Sequence, residues 1–198
     1  MGNLSNAKAV TFFDVETTSL DSTKSAILQI SIITDWEDGR QDVWTSKIKP
    51  REVELHFADK EALRICGYNE ESWSDAPSFE EVAHTIQKKL VWGPIVGHNV
   101  QFDVEHLTAA FKRRGWSPIT RKDNIFSVLE NKEKKYKFGY PVIDTCALAY
   151  LFLPAERQNL NALREHFDIS TDRAHSADTD VEDCRTVFYN ILVQRIEN

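Results

Sequence analysis

Two acids one residue apart, Asp14 and Glu16, close an apolar run of strand formers over residues 9–13, and three hydroxyl residues, Thr17, Thr18 and Ser19, follow them. In a strand, residues i and i+2 point to one face, so the two carboxylates stand side by side at a strand end. Adjacent carboxylates repel each other unless a cation joins them. Hard divalent cations such as Mg²⁺ take oxygen ligands of this kind. Spacing alone does not single this pair out. With 15 Asp and 16 Glu in 198 residues, chance gives about one Asp-x-Glu. The chain has five: Asp14/Glu16, Asp35/Glu37, Asp59/Glu61, Asp103/Glu105 and Asp180/Glu182.

Two later acids gain meaning from their surroundings. Asp103 falls in the first turn of a helical pattern, directly after an apolar strand over 94–97 and the corner His98-Asn99. Asp180 falls in the first turns of the last helical pattern, and His175 precedes it by five residues. Each acid also has a plain reading, since a carboxylate near a helix N-terminus is favoured by the dipole.

The elements that must carry these residues follow from periodicity. Strands are expected over 8–13, 26–36 and 41–48, with the Asp38-Gly39 turn between the second and third. This is an antiparallel meander. A short helix over 59–66 stops at Gly67. Ser78-Phe79-Glu80-Glu81 is a capping box opening a helix with Val82, Ile86 and Leu90 on one face. The strand over 94–97 leads into a helix over 102–114. A strand at Val142-Ile143 leads through Asp144 into a helix ending before Pro154. Asn159 caps another helix, and residues 176–195 form the last. Three strands in a meander followed by alternating strand and helix imply an α/β fold: a mixed sheet with helices on both faces.

Length and an apolar content of 41% suit one domain over residues 1–198. No apolar run reaches the roughly 20 residues of a membrane span, and residues 1–8 do not resemble a secretory signal. Cys66, Cys146 and Cys184 lack zinc spacing and read as reduced residues, two of them core, in a cytoplasmic compartment. Net charge is −7, yet residues 112–137 hold nine Lys/Arg against three acids. Residues 117–139 are too long for an ordinary connection. They read as a basic inserted segment, with a short helix around Ile125, Val128 and Leu129. It is either a solvated surface or a phosphate-attracting patch that guides strands toward the acidic cleft.

In order, these residues form a pattern. Phe13-Asp14-Val15-Glu16-Thr17-Thr18 resembles the first motif of the DEDD exonucleases. Gly97-His98-Asn99-Val100-Gln101-Phe102-Asp103 resembles the second, His175-Ser176-Ala177-Asp178-Thr179-Asp180 the third, and Val142-Ile143-Asp144-Thr145 a further landmark. The tyrosine variant carries Tyr where this chain has Ser176. His175 therefore points to the DEDDh (DnaQ-like) 3′–5′ exonuclease family, which includes the proofreading subunit of bacterial DNA polymerase III, RNase T and exonuclease I.

That resemblance implies an RNase H-like fold with a mixed five-stranded sheet. It implies two Mg²⁺ ions, replaceable by Mn²⁺, on Asp14, Glu16, Asp103 and Asp180, with His175 as general base. The substrate would be nucleic acid with a free 3′ end, DNA ahead of RNA. Its last nucleotide would lie near Thr17, Thr18 and Leu20, and His98 and Asn99 either line the same cleft or cap the following helix. A polymerase is the implied protein partner, and no membrane is. The alternative is a non-catalytic exonuclease fold used for nucleic-acid binding or polymerase docking. The loss of an acid or the histidine would signal it, and all five are present. The segment 117–139 departs from the family pattern.

Overall fold

The computed structural model describes residues 8–153, 158–171 and 176–196. His175 lies outside the described residues. The elements in chain order are β1 (Ala9–Thr17), β2 (Ile27–Trp36), β3 (Gln41–Lys47), α1 (Glu52–Leu55), α2 (Lys60–Ile65), α3 (Glu70–Trp73), α4 (Phe79–Leu90), β4 (Ile95–Gly97) and α5 (Val100–Arg113). There follow β5 (Ser117–Pro118), α6 (Ile125–Glu130), β6 (Lys135–Tyr136), β7 (Val142–Asp144), α7 (Thr145–Phe152), α8 (Leu160–His166) and α9 (Ala177–Ile196).

The main sheet is five-stranded and mixed, in the order β3-β2-β1-β4-β7. β1 to β3 form the expected antiparallel meander, while β4 runs parallel to β1 and β7 parallel to β4. β1 alternates its faces. Phe13 and Val15 pack with Phe79, Ile86, Leu107 and Phe111 of α4 and α5. Phe12, on the opposite face, packs with Val96 and with Val181, Cys184 and Phe188 of α9. Asp14 and Glu16 share the Phe12 face. α7 and α8 extend that layer, with Ala149, Leu160 and Leu163 packed with Val187 and Ile191 of α9. Helices therefore cover both faces, and the fold is RNase H-like. Among the described residues, no helix is long and apolar enough to cross a membrane.

Several expectations need revision. β1 runs four residues further than the apolar run, because β2 pairs with it through Glu16↔Gln29. Asp14 and Glu16 thus sit within the strand, and the register shifts only between Glu16 and Thr17. α5 starts at Val100, two residues early. The four-residue helices α1 and α3 and the parallel β5/β6 pair were not expected. Of the cysteines, which are all free, only Cys184 is buried, so two core thiols become one.

The basic segment holds its predicted short helix, α6, but it does not border the acidic cleft. Its ends join the C-terminus of α5 to the start of β7, at the N-terminal edge of the parallel strands. Gly139 N–H donates to the Leu90 carbonyl, and Phe126 stands 5.9 Å from Trp92. That edge also holds Ala9, whose carbonyl oxygen lies so near Gly93 that a Cβ there would stand 2.2 Å from it. From Ala9 to Asp14 is roughly 17 Å of strand. Lys135 is also paired within the segment, with Asp123 and Glu133.

Candidate active site

The carboxylates meet where β1 and β4 end. Asp103 enters from the first turn of α5, and its Oδ1 accepts the Val15 N–H at 3.0 Å, between the two acids of β1. Gly97 makes this approach possible, because a Cβ there would stand 2.8 Å from Val100 Cγ2. Asp180 enters from α9, anchored by its neighbour Val181 beneath Phe12. Asp14 therefore stands half-buried among like charges. Burial, then Asp103, Glu16 and Asp180, push its carboxyl well above the usual range, and Arg164 pulls the other way. Asp103 is pushed up by its burial first, with Glu16 and Asp144 adding to it; the backbone N–H of Val15 opposes the rise.

Three of these acids already have protein partners. Cys66 Sγ donates to Glu16 Oε2 at 3.1 Å, the Val15 N–H binds Asp103, and Arg164 binds Asp180. Burial and Glu16 push the Cys66 thiol up, so it stays a protonated donor. Among the described residues, no three His, Cys, Asp or Glu side chains form a closed metal-binding group. The donor set itself fits hard divalent ions: clustered carboxylate oxygens whose repulsion raises Asp14.

The loop after β1 is held from several sides. Thr18 is buried: its Oγ1 accepts the Ala26 N–H at 2.8 Å, and its carbonyl accepts the Asp59 N–H at 2.7 Å. Thr17 Oγ1 donates to the Ser19 carbonyl at 3.0 Å. His106, also buried, sets Nε2 3.1 Å from that carbonyl and Nδ1 2.9 Å from the Phe102 carbonyl. Leu20 is left 86% exposed.

His98 is half-buried, with Nδ1 3.0 Å from Thr145 Oγ1. Burial pushes its pKa down, which favours the neutral ring. Asn99 takes the N-cap place of α5 in a left-handed conformation (φ 58), but its side chain makes no capping bond. Its N–H donates instead to Asp144 Oδ1 at 3.0 Å, and Asp144 also caps α7 through the Cys146 N–H at 2.8 Å. Neither His98 nor Asn99 caps α5 through its side chain; Asp144 caps α7 and ties the Asn99 backbone to it, and Asn99 is exposed.

Arg164 was not anticipated. The signal for it is a charged residue on the apolar stripe of a helix: Leu160, Leu163 and Arg164 stand at i, i+3 and i+4.

The family model described as "Exonuclease" (RNase_T) matches residues 11–188. The DNA polymerase III subunit epsilon of Treponema pallidum is 25% identical over 191 residues, covering 93% of this chain and 76% of that protein. The PolC-type DNA polymerase III of Bacillus cereus is 25% identical over 186 residues, and the chain spans 11% of its length. Among solved structures, E. coli exonuclease I in complex with a dT13 oligonucleotide aligns with a TM-score of 0.67 at 18% identity, over 94% of this chain and 41% of that one. Exonuclease X in complex with 5′ overhanging duplex DNA aligns at 0.59 and 15% identity, over 93% and 92%. With the sheet order, the carboxylates of β1, α5 and α9 and the family match in agreement, the chain belongs to the exonuclease family, in its DEDDh, DnaQ-like branch.

Proposed function

We propose that the chain, as one exonuclease domain, removes nucleotides from the 3′ ends of nucleic acid by metal-dependent hydrolysis. The observation that carries this reading is the convergence of acids from β1, α5 and α9, with Asp103 bonded to the Val15 N–H between Asp14 and Glu16, in a chain that matches the exonuclease family over residues 11–188. Such a cluster is costly without cations. Asp14, Glu16, Asp103 and Asp180 would hold two divalent ions, Mg²⁺ first and Mn²⁺ in its place. When bound, such ions supply positive charge at the phosphate and make water acidic enough to attack at neutral pH.

The chain's own residues do the rest. His175 accepts the proton of the attacking water, a task suited to an unperturbed pKa of about 6.5. The water oxygen bonds to phosphorus as the bond to the 3′ oxygen of the preceding nucleotide breaks. That oxygen leaves with a proton from solvent, and a nucleoside 5′-monophosphate is released. Leu20 presents an apolar surface to the terminal base, on a loop shaped by Thr17, Thr18 and His106. Asn99 and His98 would line the same cleft.

DNA is the favoured substrate, in keeping with the polymerase III relatives and with the oligonucleotide complex of exonuclease I. The same relatives favour a polymerase as protein partner and a cytoplasmic setting. The test is incubation of 3′- and 5′-labelled single-stranded DNA, duplex DNA and RNA with Mg²⁺, Mn²⁺ or chelator. We expect mononucleotides from the 3′ end with metal and none with chelator. Endonucleolytic products, or metal-independent turnover, would overturn the reading.

A further inference from the structure

Arg164 is 1% exposed, an unusual place for a guanidinium. Its Nη2 donates to Asp180 Oδ1 at 2.6 Å, its Nε to Asp183 Oδ2 at 2.7 Å and its Nη1 to Asn161 Oδ1 at 2.6 Å. The planar fork thus spans two acids one helical turn apart on α9, and α8 supplies both the fork and its third partner. Leu160 and Leu163 bury the same face of α8, so the fork cannot swing out to water.

We propose that Arg164 is a positioning residue and resident counter-cation: it clamps Asp180 by one carboxylate oxygen and sets how tightly the cluster holds divalent ions. This rests on the metal-dependent reading above. Its sign follows from two opposed effects. Clamping Asp180 saves the entropy of ordering one short side chain, which is small. A guanidinium beside a ligand carboxylate repels any divalent ion that approaches it. At several ångströms and an effective dielectric of about 20, that repulsion outweighs the gain in order. Arg164 therefore keeps the metal-free cluster folded at the cost of metal affinity. Its field reaches Asp14 as well, where it opposes those of three carboxylates. Asp183 holds the far edge of the fork, so the guanidinium stays beside Asp180 and does not enter the cleft.

The test is Mn²⁺ titration, followed by the electron paramagnetic resonance signal of the free ion. The proteins are the wild type, Arg164→Gln, Arg164→Lys and the double variant Arg164→Gln/Asp183→Asn. The double variant removes the acid that Arg164→Gln orphans, and it serves if the single variant does not fold. Without metal, Arg164→Gln should melt below the wild type. It should bind Mn²⁺ roughly tenfold more tightly, so that Mn²⁺ raises its melting point further than the wild type's. The double variant should shift in the same direction. Arg164→Lys keeps the charge and loses the fork, so its Mn²⁺ affinity should stay near wild type while kcat falls. A purely structural arginine would lower stability in every state and leave Mn²⁺ affinity unchanged. Affinity in Arg164→Gln or the double variant equal to or weaker than wild type would overturn this inference alone. Failure of the wild type to bind Mn²⁺ would remove the metal-dependent reading and this inference with it.

Discussion

The backbone N–H of Val15 donates to Asp103 Oδ1 at 3.0 Å, joining a central strand to a helix 88 residues further along the chain. One bond thus fixes the spacing of three acids, because Val15 lies between Asp14 and Glu16. It also partly offsets the burial of Asp103. Replacing Asp103 with Asn keeps an oxygen for this bond and removes a negative charge from the cluster. We expect turnover to fall to background while the melting temperature without metal holds or rises. Asp103→Ala, which loses the bond as well, should melt lower. If both variants melt below wild type by the same margin, the repulsion described at this site is not significant.

The pH dependence of stability has a definite sign. Asp14 and Asp103 both titrate in the folded protein above the ordinary carboxylate value of 3.8. The folded state then binds more protons than the unfolded state between 3.8 and the raised values. Stability falls as pH rises across that interval. Their contribution is fully present below 3.8 and is lost above the raised values. Without metal, urea denaturation should show this fall against a double Asp14→Asn/Asp103→Asn variant, which lacks it. Saturating Mg²⁺ should suppress it, since an ion bound only to the folded state stabilises by about 2.7 kcal/mol at a hundred times its Kd.

Leu20 offers a separation of binding from stability. It is almost wholly exposed, so Leu20→Ala should leave the melting temperature unchanged. If its side chain packs on the terminal base, KM for a short oligonucleotide should rise on the order of fivefold. His106→Ala removes the brace on the Ser19 carbonyl, so it should raise KM and lower the melting temperature together.

Arg114 marks the structural counterpart of the catalytic cluster, on the other side of the sheet. It donates to Glu54 Oε2 at 3.2 Å and to Glu80 Oε2 at 3.3 Å, and its guanidinium lies 4.6 Å from the centre of the Phe79 ring. These contacts join α1, α4 and the end of α5. Arg114→Met leaves the buried Glu54 carboxylate with the Arg51 N–H and the Arg113 guanidinium alone, and should cost about 2 kcal/mol in urea denaturation. Activity of the folded fraction should be unchanged, because no part of this network touches the carboxylate cleft.

What could be read in the sequence was whatever repeats locally. β2 and α4 show their faces within ten or twelve residues, and Ser78 and Asp144 cap helices as their positions suggest. Asp14, Glu16, Asp103 and Asp180 were expected together because ordered motifs carry them, and the fold brings the last three within electrostatic reach of Asp14. Contacts between distant segments were not readable. The Cys66–Glu16 bond spans 50 residues and the His106–Ser19 contact 87, and neither side chain lies in a recognisable pattern. The four-residue helices α1 and α3 are too short to show a period. The place of the basic segment followed from topology, not composition. A connection from the end of a helix to the start of a parallel strand must lie at the edge opposite the strand C-termini.

That placement leads to a prediction opposite to the one charge alone suggests. Lys132 and Lys134 stand near His84 of α4, whose pKa is pushed down by burial and then by these two cations. His84 packs against Trp116 at 4.6 Å, on the outer side of α4 and away from the carboxylates. Lys132→Glu/Lys134→Glu should therefore raise the pKa of His84, a shift that proton NMR reads directly. It should leave KM and its salt dependence for an oligonucleotide of about six residues unchanged, since counterion release needs phosphates within reach of the lysines. A raised KM together with an unmoved His84 would mean that these lysines face the nucleic acid and not α4.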